Sequence, residues 1–245
     1  MLDAPREAPP DEVERYYDRR WSRRRRFNVP RILRHRAVLD LVGRYGGGGP
    51  RPAIVELGCG RGELAARLVR HGEVTAVDLS RATLAANRER FPGVDFRRDD
   101  VTDAGLAARL GRFAIAVASE VAEHVELGQR DAFFANLAGL VEPGGLLVLT
   151  TPDRDVLAAA GRPLQDGQPV NHLFRRQELV SCLAGDFETL HHGAVHPLVE
   201  NRVLDLAWKI LFLPLGYCGV GRMASWLGLP GTYQVLALRR RDDAA

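Results

Sequence analysis

Apolar positions in this chain change period several times, and each change marks an element. Asp11 through Arg26 carries Val13, Tyr16, Tyr17 and Trp21 at spacings that build one helical side beside a row of arginines. A second helical pattern follows Pro30, uses Ile32, Leu33, Val38, Leu39 and Leu41, and stops at the glycine run 46–49. Beyond Pro52 short apolar runs take over. Ala53–Leu57, Glu73–Val77, Val94–Arg98, Phe113–Ala118 and Leu146–Leu149 read as buried strands. Between them, the residues after the first strand (Leu64, Leu68, Val69), Arg81–Arg90 and Gln129–Val141 carry helical patterns, and a helix at Arg175–Leu183 leads to a strand at Phe187–His191. The pattern closes with a helical excursion over Val203–Leu227 and a strand at Thr232–Leu238.

Strands alternating with helices specify a mostly parallel sheet covered on both faces, an α/β architecture. We expect an N-terminal helical cap over residues 1–50 and a core over 51–245, with a helical insertion at about 197–228. The 245 residues suffice for one principal core and are short for two large ones. No internal repeat is evident, and residues 1–10 read as a loose tail.

Charge changes this picture at one place. Ten arginines and a single acid, Asp18, fall between Arg15 and Arg36; setting these aside from the 34 basic and 31 acidic residues leaves 24 against 30. The basicity is therefore local to the N-terminal elements, and the net charge of +3 does not announce a nucleic-acid binder. Cys59, Cys182 and Cys218 are an odd number with no close metal-ligand spacing, which fits a reducing, cytoplasmic setting. The first ten residues lack a basic-then-apolar leader. The most apolar stretch, Val203 to Val220, is interrupted by Asp205, Lys209 and Pro214, so no transmembrane span is expected, although peripheral membrane contact is open.

The sharpest chemical signal is Glu56-Leu57-Gly58-Cys59-Gly60-Arg61-Gly62, set between a strand and a helix. Side chains absent at Gly58, Gly60 and Gly62 let a polar ligand approach the backbone and the N–H groups at the helix start. Asp78, at the end of the next strand, is placed to accept hydrogen bonds from vicinal ribose hydroxyls. Loop and acid together imply a nucleoside-containing ligand. The Gly-x-Gly-x-Gly spacing lacks the third-glycine position of the dinucleotide fingerprint, which favours adenosylmethionine over NAD. Glu56 either meets the ammonium end of a methionine moiety, directly or through water, or serves as a strand-end acceptor.

These segments, with Tyr16-Tyr17-Asp18-Arg19-Arg20-Trp21, Asp99-Asp100-Val101 and Ser119-Glu120-Val121-Ala122-Glu123-His124-Val125, resemble class I S-adenosylmethionine-dependent methyltransferases, in particular the ubiquinone-biosynthesis O-methyltransferase group. The resemblance spans about residues 11–190. It implies a Rossmann-like, mostly parallel seven-stranded sheet with an antiparallel last strand and helices on both faces. It further implies that Gly58, Cys59, Gly60 and Gly62 shape the cofactor loop, that Asp78 holds ribose, that Leu79 and Val101 flank adenine, that Asp100 meets its amino group, and that Glu56 and Glu120 lie at the cofactor.

Glu120, Glu123 and His124 sit three and four residues apart, a spacing that converges on a helical turn. His124 is a candidate base or orienting group for an acceptor hydroxyl. The resemblance also implies a divalent cation such as Mg²⁺ on Glu120, Glu123 and His124, with His172 as a further ligand drawn from RNA-end 2'-O-methyltransferases. Thr150, Thr151 and Asp153 follow the fifth strand and are candidates to meet the acceptor. The leading expectation is methyl transfer to a small, aromatic or hydrophobic acceptor, with oxygen preferred. N- or C-transfer to a natural-product intermediate, metal-dependent RNA 2'-O-methylation and a noncatalytic interaction protein are the alternatives. Trp208, Leu211, Phe212, Leu213, Trp226 and Leu227 in the insertion suit an acceptor wall, a homodimer contact or a lipid surface.

Overall fold

The computed structural model describes residues 15, 16, 18, 19, 28–47, 49, 51–164, 170–197 and 230–242. Tyr17, Trp21, Cys218 and the expected insertion with its aromatic residues lie outside them. Positions 15, 16, 18 and 19 are helical, as the periodicity predicts.

The first complete helix, α1 (Val29–Tyr45), starts where Asn28 accepts the N–H of Arg31 on its side chain at 2.9 Å, with Pro30 in the first turn. The chain then alternates: β1 (Ala53–Leu57), α2 (Ala65–Leu68), β2 (Glu73–Asp78), α3 (Arg81–Arg90), β3 (Asp95–Arg98), α4 (Leu106–Leu110), β4 (Phe113–Ser119), α5 (Arg130–Leu140), β5 (Val141–Pro152), α6 (Arg154–Ala159), α7 (Arg176–Leu183), β6 (Phe187–Pro197) and β7 (Gly231–Arg240). Strand order is β3-β2-β1-β4-β5-β7-β6. The ladders from β3 through β5 are parallel, and β7 runs antiparallel between β5 and β6. This is the seven-stranded class I Rossmann-like arrangement that the alternation and the resemblance implied.

Successive strand residues feed opposite faces. Ile54, Ile115, Leu146 and Val148 pack with Val38, Leu41, Leu64, Leu68 and Leu84 from α1, α2 and α3 and the segments flanking them. Val55, Ala116, Leu147 and Leu149 pack with Leu106, Phe133, Leu137, Leu179 and Leu183 from α4, α5 and α7. Two buried faces explain why the strands read as continuous apolar runs. Each fully buried leucine contributes about 1.5–3 kcal/mol relative to exposure. Helix α1 thus packs directly on the sheet.

The strands outrun their apolar cores. β5, β6 and β7 extend beyond the expected Leu146–Leu149, Phe187–His191 and Thr232–Leu238, because ladder pairing continues through polar residues such as Thr150, Thr151, His192 and Arg239. Helix α6 was not foreseen. Asp153 starts it by accepting the N–H groups of Asp155 and Val156 at 3.0 and 3.2 Å. Among the described residues, no helix is long and apolar enough to cross a membrane.

Candidate active site

The carboxyl ends of β1, β2, β4 and β5 carry the polar residues that the sequence singled out, the edge where open α/β sheets bind ligands. After β1 the chain turns through Gly58, Gly60 and Gly62 at φ of 66°, 46° and 67°. A Cβ on Gly58 would come within 2.5 Å of Val121 Cγ2, and one on Gly62 within 2.9 Å of Phe96 Cζ. Left-handed backbone and close neighbours both require glycine there.

The middle peptide of this loop is held at both ends. Gly60 donates its N–H to Asp78 Oδ2 at 2.7 Å, and its carbonyl accepts from Asn87 Nδ2 at 2.7 Å. Asp78 also accepts the N–H of Ser80 on Oδ1 at 3.0 Å, so one carboxylate ties the loop to the end of β2. Burial raises the Asp78 pKa, against the pull of these backbone donors. Ser80 caps α3 by accepting the N–H of Thr83, and its hydroxyl also meets Asp18 from the N-terminal segment. Leu79 follows half-buried, its carbonyl held by Arg98.

Glu56 is 3% exposed. One carboxyl oxygen, Oε2, has no hydrogen-bond partner, and burial pushes the acid up to about 8 in spite of the N–H of Ala65. A buried carboxyl oxygen lacking a partner, beside a glycine cradle, fits a ligand that brings a cation. Cys59 is buried with its thiol pushed up by burial, which suits a backbone role in the loop.

Beyond β3, Asp99 and Asp100 have different partners. Asp99 is engaged by Arg109, through Nη2 at 2.6 Å and Nε at 3.1 Å. Asp100 accepts the N–H and hydroxyl of Thr102 on Oδ1 at 2.8 and 2.7 Å. Val101 beside it is half-buried, its carbonyl bound by Asn136.

The Glu120 to His124 segment departs from expectation. Glu120 has φ of 60°, outside any helix, and only Ala122–His124 form a 3-10 turn. The three side chains therefore do not share a helical face. Glu120 Oε1 accepts from Thr150 Oγ1 at 3.2 Å and pairs with Arg34 of α1 at 3.5 Å; burial raises it to about 7, opposed chiefly by Arg34. Glu123, 1% exposed, accepts from Thr151 Oγ1 at 3.0 Å, and its Oε1 lies 3.8 Å from His124 Nε2. His124 Nδ1 donates to the carbonyl of Val170 at 2.9 Å.

His172 is drawn toward this segment through its backbone N–H, which donates to the Glu123 carbonyl at 2.7 Å, but its ring faces Glu126 at 3.8 Å. Glu123 and His124 lie near enough to Glu120 to act on its charge, whereas the His172 ring is turned to Glu126. Among the described residues no group of three His, Cys, Asp or Glu side chains is placed to hold a metal ion. The residues do not fit the expected cation.

Arg34, Asn87, Thr83, Arg109 and Asn136 were missed as neighbours of the site. Asn87 had a detectable signal, a polar residue three positions after Leu84 on the buried side of α3. Arg34 had none, being one of ten arginines in its stretch; it stacks over the Tyr233 ring at 4.2 Å.

Residues 54–145 match the family model described as a methyltransferase domain. Over 124 residues, 49% of this chain and 45% of the relative, the sequence is 36% identical to the trans-aconitate 2-methyltransferase of Acidovorax ebreus strain TPSY. Over 112 residues, 44% of each, it is 35% identical to the ubiquinone biosynthesis O-methyltransferase of Sinorhizobium fredii strain NBRC 101917 / NGR234. The chain spans about half the length of the curated relatives it matches. Among solved structures it is similar in fold to the N-methyltransferase NodS from Bradyrhizobium japonicum WM9 in complex with S-adenosyl-L-homocysteine, with a TM-score of 0.64 over 95% of this chain and 99% of that one at 14% identity. The sheet order is that of the class I Rossmann-like fold, residues 54–145 match a methyltransferase domain, and the similar sequences come from more than one small-molecule group and not from the ubiquinone group alone.

Proposed function

We propose that the protein is an S-adenosylmethionine-dependent methyltransferase acting on a small molecule, with transfer to oxygen. The observation that carries this reading is the Gly60 peptide locked between Asp78 and Asn87 beside the unpartnered carboxyl oxygen of Glu56. In this reading Glu56 faces the ammonium of the methionine end, Asp78 accepts the ribose hydroxyls on its remaining lone pairs, Leu79 and Val101 flank the adenine, and Asp100 accepts from its amino group. The bound cofactor supplies an electrophilic methyl on a sulfonium.

Glu120, at the end of β4 beside the loop, lies where the methyl-bearing end is expected, because its neighbour Val121 abuts Gly58. Catalysis by this chain then consists of aligning the acceptor and excluding water. His124 is the residue we assign to the acceptor. With Nδ1–H given to Val170, its neutral ring keeps the lone pair on Nε2, the atom that takes a hydroxyl proton. Glu123, held by Thr151, lies beside that atom.

Oxygen is preferred over nitrogen because a neutral imidazole base is useful to a hydroxyl that must lose its proton. Both curated relatives support an acceptor of low molecular weight, one named for trans-aconitate and the other for ubiquinone biosynthesis. A cytoplasmic setting is proposed for the protein. Calorimetry with S-adenosylmethionine and S-adenosylhomocysteine, followed by product detection across hydroxyl, amine and carbon acceptors, tests the reading. Gly60→Asp should abolish measurable binding by crowding and by repelling the cofactor carboxylate. Unchanged affinity in the folded variant would remove the cofactor from this loop.

A further inference from the structure

The turn after β3 is braced from two sides more heavily than its exposure requires. From α4, Arg109 grips both oxygens of Asp99 and reaches Asp103 Oδ1 at 3.2 Å. From α5, Asn136, 4% exposed, gives its side-chain amide to the carbonyls of Val101 and Asp103 at 2.9 and 2.8 Å. The two helices meet at Gly139, whose missing side chain faces Ala107 Cβ. The start of the turn is joined to the proposed ribose residue, since Asp99 donates its N–H to the Asp78 carbonyl at 3.3 Å.

Between these grips stands Asp100, its Oδ1 occupied by both donors of Thr102, which orients the carboxyl group. Arg109 neutralises Asp99, the adjacent acid that would otherwise compete for the same donor. An exposed ion pair contributes little to stability, about 0–1 kcal/mol, so the consequence of the Arg109 clamp is positional. Asn136 spends its two amide donors on two carbonyls of one turn, which sets the backbone path on either side of Thr102.

We propose that Arg109 and Asn136 are positioning residues that hold the 99–103 turn so that Asp100 reads the 6-amino group of the cofactor's purine, giving the site its selectivity for adenine. The inference rests on the cofactor reading above and deepens it. Neither residue touches the cofactor. Each acts through the turn, Arg109 by fixing and neutralising Asp99, Asn136 by fixing the carbonyls of Val101 and Asp103.

The test is the ratio of two affinities measured by calorimetry: S-adenosylhomocysteine against its analogue in which hydrogen replaces the 6-amino group. The intact protein should favour the amino form by about tenfold or more, the worth of one hydrogen bond to a charged acceptor. In Asn136→Ala and Arg109→Ala the ratio should collapse to within about twofold, with Arg109→Lys intermediate because an ammonium cannot fork onto Asp99. A general loss of stability would weaken both ligands together and leave the ratio in place. A preserved ratio in both alanine variants overturns the proposal. If Asn136→Ala does not fold, Arg109→Ala, at an exposed position, decides. An intact protein that binds both ligands equally also overturns it while leaving the cofactor reading standing, whereas no affinity for S-adenosylhomocysteine at all removes the cofactor reading itself.

Discussion

Gly60 and Asp78, eighteen residues apart, are joined by a 2.7 Å hydrogen bond from backbone N–H to carboxylate, so the loop after β1 and the end of β2 form one unit before any ligand arrives. The acid proposed to hold ribose also sets the path of the loop proposed to hold the methionine end. Preorganisation of this kind spares the binding step the cost of ordering the loop.

Replacing that acid by its amide separates the two tasks. In Asp78→Asn one of the two N–H groups, from Gly60 or Ser80, faces an amide donor instead of an acceptor. Affinity for S-adenosylhomocysteine should fall about 10- to 100-fold, and the thermal midpoint should drop with it, because a buried donor is left without its partner. Calorimetric affinity equal to that of the unaltered protein would detach Asp78 from the ligand.

Stability of the ligand-free protein should fall as pH rises from 4.5 to about 8. Burial raises Glu56 from 4.5 to about 8 and Glu120 to about 7, so each binds a proton more tightly in the folded chain than in the unfolded one. Their contribution is complete below pH 4.5 and is lost as pH rises through about 7 to 8. Glu56→Gln should flatten this decline, by an amount on the order of a few kcal/mol at pH 9. Thermal midpoints recorded from pH 5 to pH 9 check it; parallel curves for the two proteins would contradict the burial of an unpaired acid. Saturating cofactor should also flatten the curve, by supplying a cation to ionised Glu56.

His124→Ala should lower turnover about 100-fold or more while leaving cofactor affinity within about twofold. A variant with unchanged turnover would take His124 out of the acceptor chemistry.

Turnover should be indifferent to EDTA and to added Mg²⁺. The reason is geometric: Glu120 turns toward Arg34 and Thr150, Glu123 toward Thr151, and His172 toward Glu126. Loss of activity on chelation, restored by a divalent ion, would show that the four residues regroup when substrates bind.

The fold and the glycine loop were legible in the order of the residues because both rest on local rules. Apolar runs of four to six residues between helical patterns specify a two-sided parallel sheet, and the glycine loop needs left-handed backbone that few other residues adopt. Asp99 and Asp100 stood side by side as acids after the third strand, and only the structure shows Arg109 engaging Asp99 while Asp100 accepts from Thr102.

What tertiary structure alone decided is the direction of each long polar side chain and the identity of its partner. Spacing placed Glu120, Glu123 and His124 on one helical turn, but a positive φ at Glu120 breaks that turn and sends the carboxyl group to α1. Arg34, Asn87, Arg109 and Asn136 reach the site from helices distant in sequence, and no local pattern marks one arginine among ten. Periodicity reports which face of an element is buried; which polar atoms meet across two buried faces depends on how the helices seat on the sheet, and only the assembled molecule determines that.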